Sequence, residues 1–122
     1  MSKHLRRELD KIKKKMLSLG ALVEERTRLV IQAVAARDVD IAQKIIASDW
    51  EVDEMEVEIE EECLKILALY QPVAVDLRFL IATIKINNDM ERIGDECVNI
   101  AERLTIIAKR PPMQYVFDYS PM

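Results

Sequence analysis

Apolar residues recur along this chain at alternating three- and four-residue steps, the spacing that gathers side chains on one face of an α-helix. From residue 3 to residue 36 the stripe is Leu5, Leu9, Ile12, Met16, Leu19, Val23 and Val30, interrupted once by Arg26 and Thr27. Leu22, Leu29 and Ile31 widen this face enough to touch a second neighbour. Gly20 lies inside the period, which continues through it, so tight packing is expected there rather than a break. Arg37-Asp38-Val39-Asp40 reads as a turn, with Asp38 or Asp40 suited to cap the next helix.

A second helix is expected over residues 39–69, with a seam of Ile41, Ile45, Ser48, Val52, Met55, Ile59, Cys63 or Glu62, and Ile66. Another stripe, Ile46, Val57 and Leu64, lies roughly 120–140° around the helix from Val52. Asp49, Asp53, Glu56 and Glu60 fall in the arc between the two stripes, where solvated acids do not normally sit. Glu51, Glu54 and Glu58 point further outward. Tyr70-Gln71-Pro72 ends this helix, because a proline pushes the residue before it out of the helical region. Pro72 suits the first turn of a third helix, and Asp76 favours that helix's exposed N–H groups.

The third helix should run to residue 109, a span of roughly 50 Å at ~1.5 Å per residue. Its first half is apolar almost all round, with Leu77, Phe79, Leu80, Ile81, Ile84 and Ile86. Its second half narrows to one seam, Ile86, Met90, Ile93, Cys97, Ile100, Leu104 and Ile107. Arg110-Pro111-Pro112 stops it. The pattern predicts an all-α, up-down-up three-helix bundle over residues 1–110. A proline-initiated linker or tail follows over 111–122, carrying Tyr115, Phe117 and Tyr119 with no helical period.

Composition supports helices: half of the 122 residues are hydrophobic, few are aromatic and only two are glycine. A net charge of −4 excludes a general nucleic-acid binder, which would carry a basic excess. Charge is uneven, with Lys3, Arg6, Arg7, Lys11, Lys13, Lys14 and Lys15 opening the first helix and an acidic run over 49–62. A solvated basic face, paired in part with acids on a neighbouring helix, accounts for this more simply than a dedicated anionic partner. No apolar run follows the basic start as in a secretory signal, and no stretch reaches the ~20 apolar residues of a membrane span. Cys63 and Cys97 are too few for a disulfide framework or a zinc motif and read as buried free thiols, so the expected location is the cytoplasm.

Candidate chemistry rests on carboxylates. In Asn87-Asn88-Asp89-Met90-Glu91-Arg92-Ile93-Gly94-Asp95, Glu91 and Asp95 fall four residues apart on one side of the helix. Such a pair alone is most simply a charged face in water. Here, however, Leu77, Leu80 and Ile84 precede it and Val98 follows it on the same face, and Asn88 adds an amide oxygen. Gly94 costs roughly 1 kcal/mol against alanine in a helix interior, which points to another backbone close beside it. Oxygen-only clusters suit Mg²⁺, Mn²⁺, Ca²⁺ or iron. His4, a terminal residue, is the sole histidine, which disfavours a ferritin-type di-iron oxidase. No Gly-rich phosphate loop, Ser/His/Asp set or Cys/His pair offers other chemistry.

The run Gln71-Pro72-Val73-Ala74-Val75-Asp76-Leu77-Arg78, followed by Glu91-Arg92-Ile93-Gly94-Asp95, resembles the PhoU family of phosphate-transport regulators. So does Asp49-Trp50-Glu51-Val52-Asp53-Glu54-Met55-Glu56, and the resemblance covers most of residues 5–110. It implies a three-helix repeat, usually present twice in tandem, with Glu/Asp-x-x-x-Asp pairs binding a metal cluster at the bundle surface. Matched residue by residue, those pairs are Asp49 with Asp53 and Glu91 with Asp95. The implied cofactor is a divalent or trivalent metal ion, whether iron, Mn, Mg, Zn or Ca. The implied role is negative regulation of the phosphate-starvation response, as a non-enzymatic cytoplasmic adaptor between the phosphate ABC transporter ATPase and a sensor histidine kinase, meeting the membrane only through these partners. A single repeat suggests a homodimer, or a second PhoU repeat, to restore the pair. A structural helical interaction module whose acids serve solubility is the alternative, and a metal-dependent enzyme a more distant one.

Overall fold

The structure, a computed structural model, describes residues 3–109. Within it α1 spans Lys3–Ala36, α2 Val39–Ala47, α3 Asp49–Tyr70 and α4 Ala74–Ala108. The all-α, up-down-up bundle expected from the period is what forms, with α2 and α3 making the middle arm between them. Contacts fix the directions. Lys15 meets Glu58 and Glu62 while Arg26 meets Glu51, so α1 and α3 are antiparallel. Gly20 lies beside Met90 and Thr27 beside Cys97, so α1 and α4 run parallel. The expected tail over 111–122 lies outside the described residues.

The middle helix is not continuous. Ser48 leaves helical geometry at φ −102°, ψ 7°. Its hydroxyl donates to the Lys44 carbonyl at 2.8 Å, a local bond that competes with the helix ladder and bends it. Both turns use left-handed backbone at residues other than glycine: Arg37 has φ 52° and Gln71 φ 45°. Asp38 is the residue that caps, its carboxylate accepting from Ile41 N–H at 3.2 Å. Pro72 and Val73 stay outside α4, which begins two residues later than expected, with Asp76 in its first turn but forming no capping hydrogen bond.

Two apolar clusters make the core. One joins Leu5, Leu9, Ile12, Leu19 and Val23 of α1 to Val52, Ile59, Cys63 and Ile66 of α3 and Leu80 of α4. The other packs Val30 and Ala33 on Ala42, Ile45, Cys97, Ala101 and Leu104. The residue separating them along α1 is Arg26, buried rather than merely interrupting the seam. Both thiols are buried, and burial pushes the Cys63 thiol up to about 11.

Three expectations about faces fail. Ile46 is half-buried, but Val57 and Leu64 are half-exposed, so no second apolar stripe is covered on the middle arm. Ile31 is open to solvent, unlike the half-buried Leu22 and Leu29. On α4 the covered row is Leu80, Thr83, Asn87, Gly94, Cys97, Ala101 and Leu104, while Ile86, Ile93, Ile100 and Ile107 lie outside it. The rotation has a cause: small or hydrogen-bonding residues let α4 approach α3 more closely than an isoleucine row would. Asn87 is fully buried and donates through Nδ2 to the Glu56 carbonyl at 2.9 Å.

The two glycines differ in the same terms. A Cβ on Gly94 would stand 3.1 Å from Val52 Cγ1, whereas one on Gly20 would meet only Met90 Cε at 3.6 Å. Close approach therefore explains Gly94 and not Gly20. Replacing Gly94→Leu should cost about 2 kcal/mol or more by overpacking against the stiff Val52 side chain. Gly20→Ala should stabilise by up to about 1 kcal/mol through helix propensity. Urea denaturation of the two variants checks both signs, and equal effects would refute the distinction.

Candidate metal centre

The acidic run of α3 is sorted by what faces it. On the flank toward α1, Lys15 Nζ bridges Glu58 Oε1 at 2.5 Å and Glu62 Oε1 at 2.6 Å. These hydrogen bonds, to Glu58 first, raise the Lys15 pKa. Arg26 Nη2 reaches Glu51 Oε2 at 3.2 Å and also donates to the Ser48 carbonyl at 3.3 Å. Part of the basic start of α1 is thus paired with acids across the bundle. The flank toward α4 has no such partner among the described residues. There Asp49 and Asp53 meet Asp95 instead, and Glu56, with Glu60 beside it, meets Glu91.

Asp49, Asp53 and Asp95 form the tightest group, with one carboxylate oxygen from each lying within 4.8 Å of the others. Helix geometry sets this up: Asp49 and Asp53 are one turn apart on α3, and Gly94 lets Asp95 approach from α4. Asp49 is half-buried, and the other two are exposed, so the site is shallow. Burial first, then Asp53 and Asp95, push the Asp49 carboxyl up, with Arg26 opposing weakly. Burial, then Asp53, then Glu96 push Asp95 up in the same direction. Each shift records a carboxylate that lacks solvation or a cation.

Glu91 falls outside that group. Its carboxyl instead faces Glu56, which is buried and pushed up to about 7 by burial first and then by Glu91 and Glu60. At neutral pH Glu56 is therefore partly protonated and hydrogen-bonds Glu91, one proton holding two carboxyls together. Of the four ligand candidates read from the sequence, Asp49, Asp53 and Asp95 converge, and Glu91 forms a second acidic pair with Glu56. Asn88 is exposed, and its neighbour Asn87 is the buried amide.

Two contributors escaped sequence reasoning. Arg26 ties down the carbonyl immediately before α3, and Asp49 is the first residue of that helix. Its signal was a cation interrupting an apolar seam opposite an acidic run. Asn87 clamps α3 to α4 beside Glu56, and only its place in the row of Thr83 and Gly94 hinted at burial.

The donor set fits a hard cation. Three oxygens from two helices, without an ion pair among the described residues, are chemically suited to Mg²⁺, Mn²⁺, Ca²⁺ or iron. In class, this is a helical bundle whose acidic seam lies between two antiparallel helices and gathers carboxylate oxygens at its surface.

The PhoU domain profile matches residues 16–104, and the chain belongs to that family. It is 39% identical over 108 residues to the phosphate-specific transport system accessory protein PhoU homolog of Aquifex aeolicus, covering 88% of this chain and 49% of that protein. Against the Pseudomonas aeruginosa homolog identity is 38% over 103 residues, covering 84% and 43%. The crystal structure of PhoU from P. aeruginosa matches with a TM-score of 0.82 at 36% identity, over 91% of this chain and 54% of that one. That of the phosphate transport system regulatory protein PhoU from Streptococcus pneumoniae matches at 0.78 and 34% identity, over 83% and 48%. The chain thus spans about half the length of these relatives.

The raised carboxyls set a pH dependence of known sign. The unfolded chain releases the Glu56 proton near its ordinary value of 4.5, but the folded chain holds it until about 7. Stability therefore falls as pH rises through that window, by at most about 3 kcal/mol. Asp49 and Asp95 act in the same sense. With chelator present, melting should be higher at pH 5 than at pH 8. Glu56→Gln should flatten the profile and raise the pH 8 melting temperature by about 5 °C. A wild-type profile that rises with pH would contradict the assignment.

Proposed function

We infer that this domain is a metal-binding regulatory module of phosphate transport and phosphate-starvation signalling. The observation that carries the reading is the convergence of Asp49, Asp53 and Asp95 from α3 and α4, none of them in an ion pair among the described residues. Glu91, one turn from Asp95, extends the same strip. A bound divalent or trivalent ion would neutralise the crowded carboxylates and turn repulsion into a link between the two helices. Asp49, Asp53 and Asp95 would hold it, with Glu91 able to join through the seam it shares with Glu56. Arg26, by fixing the start of α3, keeps Asp49 in place.

Relatives bearing the accessory-protein name support the pathway. Negative regulation, through contact with the transporter ATPase and a sensor histidine kinase, is the corresponding role for this chain. No described helix is long and apolar enough to cross a membrane, so membrane contact would come through those partners. The domain would act in the cytoplasm without catalysing a reaction, its metal serving structure and signalling. It would work as a pair, with a second repeat or a second copy.

Calorimetric titration of chelator-stripped protein with Mn²⁺ tests the site. Asp49→Asn, Asp53→Asn and Asp95→Asn should each weaken binding roughly 100-fold, or about 3 kcal/mol. Glu91→Gln should weaken it less. Unchanged affinity in the triple variant would remove the site, leaving a purely structural helical module. In cells lacking their own PhoU protein, a starvation-promoter reporter should be repressed by the wild-type chain and derepressed by the triple variant.

A further inference from the structure

α3 turns one apolar row away from the bundle. Trp50, Val57 and Leu64 follow one another at seven-residue steps and are 60%, 48% and 51% exposed, on the side opposite the buried Val52, Ile59 and Ile66. A seven-residue apolar repeat is the row that one helix offers to another. Single exposed aliphatic side chains are ordinary, but a tryptophan left mostly in water at the head of such a row is not. At ~100° per residue, Glu54 and Glu61 lie about 40° to one side of the row, and Asp53 and Glu60 about 60° to the other. None of these four acids is in an ion pair among the described residues. The cations that reach α3 from α1, Lys15 and Arg26, are engaged by Glu58, Glu62 and Glu51 instead.

We propose that this outer face of α3 docks a basic amphipathic helix of a partner protein, its apolar row seated on Trp50, Val57 and Leu64 and its lysines or arginines on the flanking acids. Charge selects that occupant. An acidic border on both sides repels nucleic acid and anionic lipid, and it repels the same face of another copy. A cationic helix with its own apolar seam matches both features at once, by the rule that joins helices in a coiled coil: apolar rows face each other and opposite charges lie beside them. Tryptophan is the side chain most able to anchor such a contact. From Trp50 to Leu64 the row is ~21 Å long, and a strip ~10 Å wide gives about 200 Å² per partner, well below the ~800 Å² of a standard interface. The contact therefore belongs to the weak, rapidly exchanging class found in signalling, with opposite charge speeding its formation.

This inference rests on the reading that the domain contacts regulatory partners, but its test involves neither metal nor phosphate, so the two can fail separately. Trp50 is the chain's only tryptophan and reports on the face directly. Chelator-treated protein in physiological salt is titrated with a tryptophan-free helical peptide three heptads long, with leucine at the a and d positions and lysine at e and g. The Trp50 emission should move to shorter wavelength and saturate with a dissociation constant of about 1–100 μM. The same peptide residues in scrambled order, without an apolar face, should bind at least ~10-fold more weakly, as should a peptide with glutamate for lysine. Val57→Ser with Leu64→Ser should weaken binding roughly 10-fold with helicity by circular dichroism unchanged, since both side chains are already half in water. Glu54→Gln with Glu61→Gln, outside both the core and the metal seam, should also weaken it roughly 10-fold, and serves as the test if the first pair disturbs folding. Val75→Ser, an open position at the start of α4, should change nothing. No shift in emission, binding indifferent to peptide order or to the acid pair, or binding as sensitive to Val75 as to Val57 and Leu64, would overturn the proposal. Emission that moves with the concentration of the chain alone would assign the face to a second copy. Peptide binding that appears only on truncation after Lys109 would assign it to the C-terminal segment, and either result overturns the proposal equally.

Discussion

The approach of α4 to α3 at Gly94 governs much of this molecule. Gly94 rests against Val52, a fully buried residue, with no room for a larger side chain. Helices that approach this closely bring whatever flanks the contact together as well. Here the flanking residues are acids on both sides: Asp49, Asp53 and Glu56 on one helix, Glu91 and Asp95 on the other. Packing and electrostatics therefore oppose each other along one line. Burial of Val52 and Ile59, with the Asn87 clamp on the Glu56 carbonyl, holds the helices where their carboxylates repel.

Repulsion of this kind can be relieved by a proton or by a cation, and the two parts of the seam differ in which they favour. Glu56 is buried, so sharing a proton with Glu91 costs less than solvating two charges there. Asp53 and Asp95 lie at the surface, where a hydrated ion can reach them. Among the described residues, the ion pairs that α1 makes with α3 lie on the far flank, through Lys15 and Arg26. The uneven charge of the chain is thus resolved on one side of α3 and left standing on the other. That asymmetry is the physical basis for reading the seam as a metal site rather than a solvated face.

Much of this was legible in the sequence because it depends on short-range rules. The helical period set the elements, Asp38 and Pro72 marked turns, and the positions of Asp49 and Asp53 on the helical wheel anticipated a contact face. Less legible were features set by which neighbour wins a given arc. Ser48 looked like part of a continuous seam, and only its hydroxyl bonding back to Lys44 shows why the arm bends there. Arg26 looked like a defect, since a cation on an apolar face gains meaning only once its carbonyl and carboxylate partners are known. Gly20 and Gly94 looked equivalent. Only the distance to the opposing helix distinguishes them.

The seam of α4 shows how a correct period can be assigned to the wrong face. Ile86, Met90, Ile93, Cys97, Ile100 and Leu104 do follow a heptad, and hydrophobicity alone places its centre between the two rows. Within the bundle, closeness to the middle arm is decided by size and hydrogen bonding, so Asn87 and Gly94 take the inner row against α3 and Ala101 takes it in the cluster with α2. The isoleucines are displaced outward by that choice, not by any weakness of the apolar pattern. One helix can thereby serve two surfaces, a small-residue row for its own bundle and a branched row for whatever packs beside it. The acidic seam and the isoleucine strip are then two results of the same rotation of α4, so a variant that turned this helix would alter both together.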